Sequence, residues 1–328
     1  MVRFGIIGTN WITESFINGA SEIEEFELTS VYSRTKEKAE EFANKFEASI
    51  ETFTDLDAFF QHDKLDAVYI ASPNAFHAKQ AIQAMQHGKH VIVEKPMASN
   101  TREVQEMFDV AKANNVVLME ALKTTFLPNF QAIQDNLHKI GQVRRYFSSF
   151  CQYSSRYDAY KEGTVLNAFK PELSNGSLMD IGIYCIYPMV ALFGKPNKVY
   201  ANAYMLDSGV DGQGSVMFDY DELNGAVMYS KITNSYLPSE IQGEEGSIVI
   251  DKISRPTKVE IYYKDGTIED ITRPQKENSM YYEAKGFIDA IHAGQTESPV
   301  NTYEKSYTTA TILEEARKQI GLTFPADK

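Results

Sequence analysis

The chain has few cysteines and little positive charge. Only two cysteines, Cys151 and Cys185, occur among its 328 residues, so the sequence does not provide a disulfide framework and favours reduced thiols in the cytoplasm. The formal net charge is −13, which argues against a broad surface for nucleic acid or for an anionic membrane. We therefore expect no nucleic-acid partner, while a local basic pocket for a phosphate stays open.

Long apolar runs are also missing by inspection. None reaches the roughly 18 residues that span a bilayer, and the opening MVRFGIIG leads into a strand-like run without a signal-peptide layout. We expect no membrane association. Hydrophobic residues make up 43% of the chain and charged residues 23%, as in a globular protein with a full core. The length predicts two domains at about 100–200 residues each.

The first third of the chain alternates strands with helices. Strand-like runs of this kind, separated by amphipathic helices, predict βαβ units and a doubly wound parallel sheet. We therefore assign residues 1–122 to an N-terminal dinucleotide-binding Rossmann domain, α/β in class. The predicted strands are 2–8, 28–33, 65–72, 90–94 and 116–121, and the predicted helices are 11–20, 36–46, 75–88 and 100–115.

The composition changes after this domain. From about 142 to 272 the chain is rich in Tyr, Phe, Val and Ser in alternating runs, with turn signals such as DYDELNG and YKDGT between them. This pattern is typical of an antiparallel meander. One helical stretch (177–194) interrupts it, and helices at 279–293 and 303–320 close the chain. We assign 123–328 to a C-terminal α+β domain for substrate binding and dimerisation.

A glycine turn follows the first strand. In the alignment of GIIGTNWIT with G-x-G-x-x-G, the three motif positions hold Gly8, Asn10 and Thr13. Asn tolerates positive φ, so we expect the turn to form, with weaker cofactor binding than a full motif would give. Such a turn presents N–H groups to a pyrophosphate at a helix N-terminus, although an ordinary strand–helix turn is the alternative. The candidate cofactor contacts are Gly8, Thr9, Asn10, Trp11 and Ile12.

The end of the second strand indicates which dinucleotide binds. An NAD site usually places an acid there to bind the ribose 2′-hydroxyl, whereas this chain has Ser33 and Arg34. A guanidinium makes charge-assisted bonds to a 2′-phosphate. The sequence therefore predicts NADP as the preferred cofactor, with NAD possible. A solvated arginine beside the next helix is the alternative.

The fourth predicted strand ends in Glu94-Lys95-Pro96. Ligands of doubly wound sheets bind at the carboxyl ends of the strands, so Glu94 and Lys95 are candidates for a site, with Pro96 setting the chain's exit direction, through a cis bond or a trans one. A lysine near a nicotinamide can polarise or deprotonate a reacting hydroxyl. A surface lysine at a strand end is the alternative.

The run DAVYIASPNAFHAKQAIQAMQHGKHVIVEKP, followed by E-A at 120–121 and D-I-G-x-Y at 180–184, resembles the Gfo/Idh/MocA family of NAD(P)-dependent oxidoreductases over essentially the whole chain. The resemblance implies a Rossmann domain plus an open, mostly antiparallel sheet whose exposed face forms a homodimer or homotetramer. Tyr184 stands where many members carry histidine. It resembles the subgroup of glucose-fructose oxidoreductase, dimeric dihydrodiol dehydrogenase and NADP-linked D-xylose dehydrogenase.

The resemblance also implies roles for single residues. Lys95 matches the catalytic-site lysine and Glu94 matches the acid that contacts the nicotinamide-side ribose. A cofactor loop corresponds to Ser72, Pro73, Asn74 and His77, although a packing role for His77 stays open. One departure is Thr125, where an arginine often precedes Phe-x-Pro, which leaves substrate contacts there in doubt unless Lys123 substitutes.

The D-I-G-x-Y motif completes a catalytic hypothesis. Asp180 and Tyr184 are four residues apart, which predicts one helix face, and Gly182 leaves room for substrate or cofactor. We expect Tyr184 to be the general acid/base, Lys95 to be the ammonium that favours its phenolate and binds the substrate oxygen, and Asp180 to orient the substrate or Lys95. Lys95 as the proton carrier is the alternative.

The predicted activity is hydride transfer between NADP(H) and a CH–OH or carbonyl group of a small-molecule substrate: a sugar, polyol or cyclic diol. No metal is predicted. The competing hypothesis is a catalytically weak regulator that binds a dinucleotide and senses its redox state.

Overall fold

The structure is a computed structural model that describes residues 1–46 and 49–328. Its strands are β1 Val2–Ile7, β2 Phe26–Tyr32, β3 Glu51–Phe53, β4 Ala67–Ile70, β5 His90–Glu94, β6 Leu118–Ala121, β7 Val143–Cys151, β8 Lys198–Met205, β9 Asp211–Asp219, β10 Asn224–Ser230, β11 Ser239–Gly243, β12 Gly246–Ile250, β13 Val259–Tyr263 and β14 Ile268–Asp270. Its α-helices are α1 Trp11–Ala20, α2 Lys36–Ala43, α3 Leu56–Phe60, α4 His77–Gln86, α5 Thr101–Ala113, α6 Pro128–Asn136, α7 Arg156–Lys161, α8 Ile183–Phe193, α9 Met280–His292 and α10 Tyr303–Ile320.

The first compact unit carries a parallel sheet of six strands in the order β3-β2-β1-β4-β5-β6. This is the predicted doubly wound order, with the reversal between β1 and β4, where such folds bind ligands beyond the strand ends. Strands β4 and β5 are almost entirely buried, because helices cover both faces of a parallel sheet. The predicted Rossmann architecture is confirmed.

The first unit consists of Met1–Ala98, Arg102–Lys123 and Lys276–Tyr303. Its third segment contains α9, which packs on α1: Asn278 Nδ2 donates to Ser15 O at 2.9 Å, and the Phe4 and Phe287 rings are 5.9 Å apart. The sequence assignment had placed this segment in the second domain. The segment belongs to the first unit because of contacts between residues far apart in the chain, and such contacts cannot be predicted from a local sequence pattern.

The second unit consists of Ser99–Thr101, Thr124–Gln275 and Glu304–Lys328. Its sheet has eight strands in the order β14-β13-β12-β11-β7-β10-β9-β8. Among the described strands of this sheet, only β7 and β10 pair in parallel, so the predicted open, mostly antiparallel sheet is confirmed. One face is buried, and α8 lies on it, where the Tyr146 hydroxyl donates to Cys185 O at 2.8 Å.

One helical stretch of the second unit is unusually apolar. By length and composition, Pro171–Phe193 would pass for a membrane span, contrary to the expectation that no such run exists. In the structure, 72% of its most apolar window is buried, as in the core helix of a folded domain.

Candidate active site

The glycine turn has the geometry of a dinucleotide cradle. Gly8 has φ +107°, and a Cβ there would lie 2.6 Å from Ala71 O, so only glycine fits. Asn10 has φ −111°, so the expectation that it supplies positive φ is wrong. It is the N-cap of α1: its Oδ1 accepts from Ile12 N at 3.1 Å and Thr13 N at 3.3 Å, while its Nδ2 donates to Ala71 O at 2.9 Å.

The other predicted cofactor residues of this region differ in exposure. Trp11 is 70% exposed and Thr9 and Ile12 are partly exposed, so these side chains border the turn where a ligand would lie. Ser33 is buried, and its N–H donates to Phe53 O at 3.1 Å. Arg34 is exposed and accessible to a phosphate. The positive φ at Gly8, the crowded Cβ position and the capped helix fit a dinucleotide.

His77 connects two loops at the carboxyl ends of β4 and β5. Its ring nitrogens lie 2.9 Å from Pro96 O and 2.8 Å from Ser72 O, and the Lys95–Pro96 bond is cis. Burial, followed by the nearby Lys95 charge, lowers the pKa of His77 despite these two carbonyl contacts. A neutral imidazole donates to only one of these carbonyls at a time, and the doubly protonated ring donates to both.

The rest of the predicted cofactor loop surrounds this histidine. Ser72, Pro73 and Asn74 are all half-buried, and Asn74 begins a short 3₁₀ turn before α4. The Ser72 hydroxyl donates to Gln80 Oε1 at 2.6 Å. Glu120 Oε1 accepts from Met97 N at 2.9 Å, which fixes the chain just beyond Pro96.

Glu94 is buried at the end of β5 and is held by a residue that the sequence analysis missed. The Tyr69 hydroxyl donates to Glu94 Oε1 at 2.6 Å, and the Tyr69 ring stacks on Phe16 at 3.9 Å. Burial raises the pKa of Glu94, opposed by the Lys95 charge, the Tyr69 bond and the Lys123 charge. The missed signal was a phenol inside the otherwise aliphatic strand AVYI, since a buried hydroxyl needs a partner.

A second buried acid lies in the electrostatic neighbourhood of Glu94. Glu283 on α9 is fully buried, and among the described residues neither of its carboxylate oxygens has a hydrogen-bond partner. Burial, then the Glu94 charge, raises the pKa of Glu283 well above its usual value, with Lys123 opposing. The Lys123 charge therefore lowers the pKa of both acids, Glu94 and Glu283. Thr125, where relatives of the family often have arginine, is buried.

The D-I-G-x-Y motif lies in the second unit, as a π-helical turn (Leu178–Gly182) that runs into α8. The expected helix is present, but π turns cannot be read from spacing, and they occur often at functional sites. A Cβ at Gly182 would meet Leu178 at 3.1 Å and the Tyr229 ring at 3.2 Å. The absence of a side chain at Gly182 therefore lets the turn pack closely against Tyr229 of β10, and room for a ligand at Gly182 stays a prediction. The Tyr184 ring meets Phe150 edge-on at 5.7 Å.

Asp180 forms an ion pair with Lys231, a second residue that the sequence analysis missed. Lys231 is 4% exposed and directly follows β10, where Val227 and Tyr229 are buried. Strand alternation therefore points Lys231 to the inner face. A lysine at an inward-facing position of a strand pattern was the signal in the sequence that could have identified Lys231. The predicted partner of Asp180 was substrate or Lys95, so Lys231 adds a contact that the motif does not indicate.

Two sequence profiles match the chain. One, described as "Oxidoreductase family, NAD-binding Rossmann fold", covers residues 2–122, and the other, the GFO/IDH/MocA C-terminal domain, covers residues 131–249. The chain belongs to the GFO/IDH/MocA oxidoreductase family. The family resemblance predicted from the motifs is thus confirmed.

Relatives in this family cover the whole chain. A scyllo-inositol 2-dehydrogenase (NADP(+)) of Bacillus subtilis is 60% identical over 328 residues, with 100% of each chain covered. A trans-1,2-dihydrobenzene-1,2-diol dehydrogenase of Mus musculus is 30% identical, covering 100% of this chain and 99% of the relative. Both names describe dehydrogenases of ring compounds with hydroxyl groups.

Solved structures show the same fold. A 3-ketoreductase of Actinomadura kijaniata, solved with NADP and TDP-benzene, superposes with TM-score 0.86 at 22% identity, covering 97% of this chain and 98% of that one. A levoglucosan dehydrogenase, solved with NADH and levoglucosan, gives TM-score 0.85 at 22% identity, covering 98% and 97%. At this identity the superpositions show the shared GFO/IDH/MocA fold.

Proposed function

We propose that the protein is an NADP-linked dehydrogenase that interconverts a CH–OH group and a carbonyl of a cyclic polyol or sugar. The observation that carries the proposal is the full-length, 60% identity to an NADP-linked inositol dehydrogenase. The cradle at Gly8 supports a dinucleotide, and the exposed Arg34 with no acid at the end of β2 supports NADP over NAD.

The cofactor and the protein divide the chemistry. When bound, the nicotinamide supplies or accepts the hydride. Gly8, Asn10 and the α1 N-terminus would hold the pyrophosphate, Ser33 and Arg34 would hold the 2′-phosphate, and the loop from Ser72 to His77, with Glu94, would support the nicotinamide end. Lys95 polarises the substrate oxygen, and Tyr184 exchanges its proton.

Binding and turnover test the proposal together. We expect NADPH to bind more tightly than NADH in a fluorescence titration, and we expect turnover on a panel of inositols, sugars and diols. Arg34→Ala should weaken NADPH binding about 10- to 100-fold, the scale of lost charge-assisted bonds, and leave NADH binding unchanged. Lys38→Ala, an exposed cation of the next helix, is the control. Equal affinity for the two cofactors in the wild type would contradict the NADP assignment.

Lys95 and Tyr184 can be tested separately. Lys95→Met should lower kcat about 1,000-fold, because substrate polarisation and proton transfer both depend on the ammonium, while NADPH affinity stays near the wild-type value. Lys79→Met, at an exposed site on α4, should change neither. Tyr184→Phe should lower kcat about 100-fold or more if the phenol carries the proton. Near-normal turnover in Tyr184→Phe would assign the proton to Lys95.

The regulator hypothesis makes a different prediction. A redox sensor binds the dinucleotide without turnover on any member of the panel. Dinucleotide binding with no turnover by the wild-type protein would therefore favour a regulator, whereas turnover that depends on Lys95 favours the enzyme.

The proposal includes a homodimer or homotetramer through the open sheet of the second unit. What supports it is the outer face of that sheet, which exposes large apolar side chains on several strands. They are Tyr200, Tyr204, Met217, Met228, Tyr262 and Ile268. A cytoplasmic location is also proposed. Both cysteines are free thiols, as is usual in a reducing compartment.

A further inference from the structure

Lys231 is a buried cation at a position where its strand neighbours are apolar. Its side chain is 5% exposed, whereas that of its partner Asp180 is 32% exposed. The Lys231 N–H donates to Gly212 O at 2.9 Å, so its backbone continues the β9–β10 pairing past the end of β10. Backbone and side chain are therefore both held.

A buried ammonium is expensive, and an apolar side chain of similar volume is often neutral or stabilising in its place. Asp180 does not need Lys231 for solvation, because a third of the carboxyl side chain reaches solvent. The pair is thus poorly explained by stability alone. The pair does account for the orientation of the Asp180 carboxylate, because a carboxylate bonded to a fixed ammonium can adopt fewer rotamers.

The π turn that carries Asp180 is held at a second point. Asp211, at the start of β9, is fully buried, and its Oδ2 accepts from Leu178 N at 2.7 Å. The Lys231 ammonium also lies 5.8 Å from the Phe169 ring centroid, and Phe169 is fully buried. The backbone of the turn is therefore held by Asp211, and its half-buried Asp180 side chain is held by Lys231, which lies beside the buried Phe169.

We propose that Lys231 is a positioning residue, which holds the Asp180 carboxylate in the orientation that the reaction requires. This inference rests on the proposed dehydrogenase function and on the role of the D-I-G-x-Y motif in it. Lys231 acts through Asp180 and does not touch the substrate. A small displacement of a positioned group lowers turnover about 100-fold, and the loss appears in kcat/KM with no change in cofactor binding.

A double-mutant cycle tests this directly. We expect Lys231→Met to lower kcat/KM for the best polyol about 100-fold while the NADPH Kd stays within about twofold. The Lys231→Met and Asp180→Asn losses should not multiply, because removing Asp180 removes the group through which Lys231 acts. Lys258→Met is the control, since Lys258 is an exposed lysine directly before β13 that is ion-paired to Glu260 at 2.8 Å. It should keep wild-type kinetics.

Each outcome decides. Losses that multiply in the double variant, or a Lys231→Met enzyme within about threefold of wild type, would overturn the positioning role. Recovery of activity in Lys231→Arg would support the role, and melting temperatures separate a misfolded variant from a misaligned one. If Lys231→Met fails to fold, two other measurements take its place. One is the activity of Lys231→Arg, and the other compares Asp180→Asn with the double variant Asp180→Asn/Lys231→Met. Unequal activities of these last two variants contradict the role. A wild-type protein without turnover on the panel rejects the proposed function, and this inference with it.

Discussion

At the scale of the residue, buried polar side chains in apolar surroundings mark the candidate site. Tyr69 holds Glu94, His77 links the Ser72 and Pro96 carbonyls, and Lys231 holds Asp180. Each contact joins residues that local patterns cannot pair. The motifs predicted Glu94, His77 and Asp180 as candidates, whereas Tyr69 and Lys231 were missed and only the tertiary structure shows which acids they bind.

Glu283 gives a stability prediction at this scale. Burial, followed by the Glu94 charge, raises the pKa of Glu283 in the folded protein well above its value in the unfolded chain. The folded state therefore binds more protons, and this group's contribution to the free energy of unfolding falls as pH rises. Glu283→Gln removes this titration. The stability of the variant relative to wild type should therefore increase as pH rises from 5 to 8.

Urea unfolding of both proteins at pH 5, 6.5 and 8 measures this difference. Glu41→Gln, at an exposed position of α2, is the matched control and should track the wild-type curve. Parallel pH curves for wild type and Glu283→Gln would show that Glu283 is ionised in the folded protein.

At the scale of the element, most strands and helices were predicted within a few residues, because their periods of two and 3.6 are local. The short strands β3, β11 and β14 and the helices α3, α6 and α7 were missed. The three strands, α3 and α7 have only three to six residues each and carry too little periodicity for a prediction, whereas the nine-residue α6 was overlooked. β11 is a strand because it pairs with β7 and β12, and this pairing forms only in the tertiary structure.

The N-cap of α1 gives a prediction at the scale of the element. Asn10→Ala should destabilise the protein by about 1 kcal/mol, the usual loss for a capping side chain, and should also weaken NADPH binding, because the cap orders the turn. Asn10→Gly should lose only a few tenths of a kcal/mol. Thermal unfolding and fluorescence titration measure the two effects.

Asp55 offers a matched cap, since its Oδ1 accepts from Ala58 N at 2.8 Å at the start of α3. Asp55→Ala should show a similar loss of stability with unchanged NADPH affinity. An equal loss of NADPH affinity in both alanine variants would show that the effect is global and does not come from the turn.

At the scale of the whole molecule, each unit buries one core, and the second unit leaves an apolar sheet face exposed. Tyr200 and Met217 are directly paired across β8 and β9 and both are exposed, and Met228 on β10 is 48% exposed. Exposed apolar side chains on neighbouring strands are typical of a surface that another chain covers.

Oligomeric state tests this surface. The wild-type protein should sediment as a dimer or tetramer at micromolar concentration, and Met217→Glu/Met228→Glu should shift it to monomers, because burying two unpaired carboxylates opposes association. Tyr236→Glu is the control, since Tyr236 is exposed outside the strands. A monomeric wild-type protein would reject the proposed interface.

The sequence by itself determined the parallel sheet, the glycine turn, the Glu94-Lys95-Pro96 corner and the antiparallel character of the second unit. These features follow from hydrophobic period and turn chemistry, which act between residues near in the chain. Only the tertiary structure decided that Lys276–Tyr303 joins the first unit, that Asn10 caps α1 in an extended conformation, and that Asp180 pairs with Lys231. A buried charge or hydroxyl needs a hydrogen-bond partner, and that partner is the polar group that the fold places nearest in space.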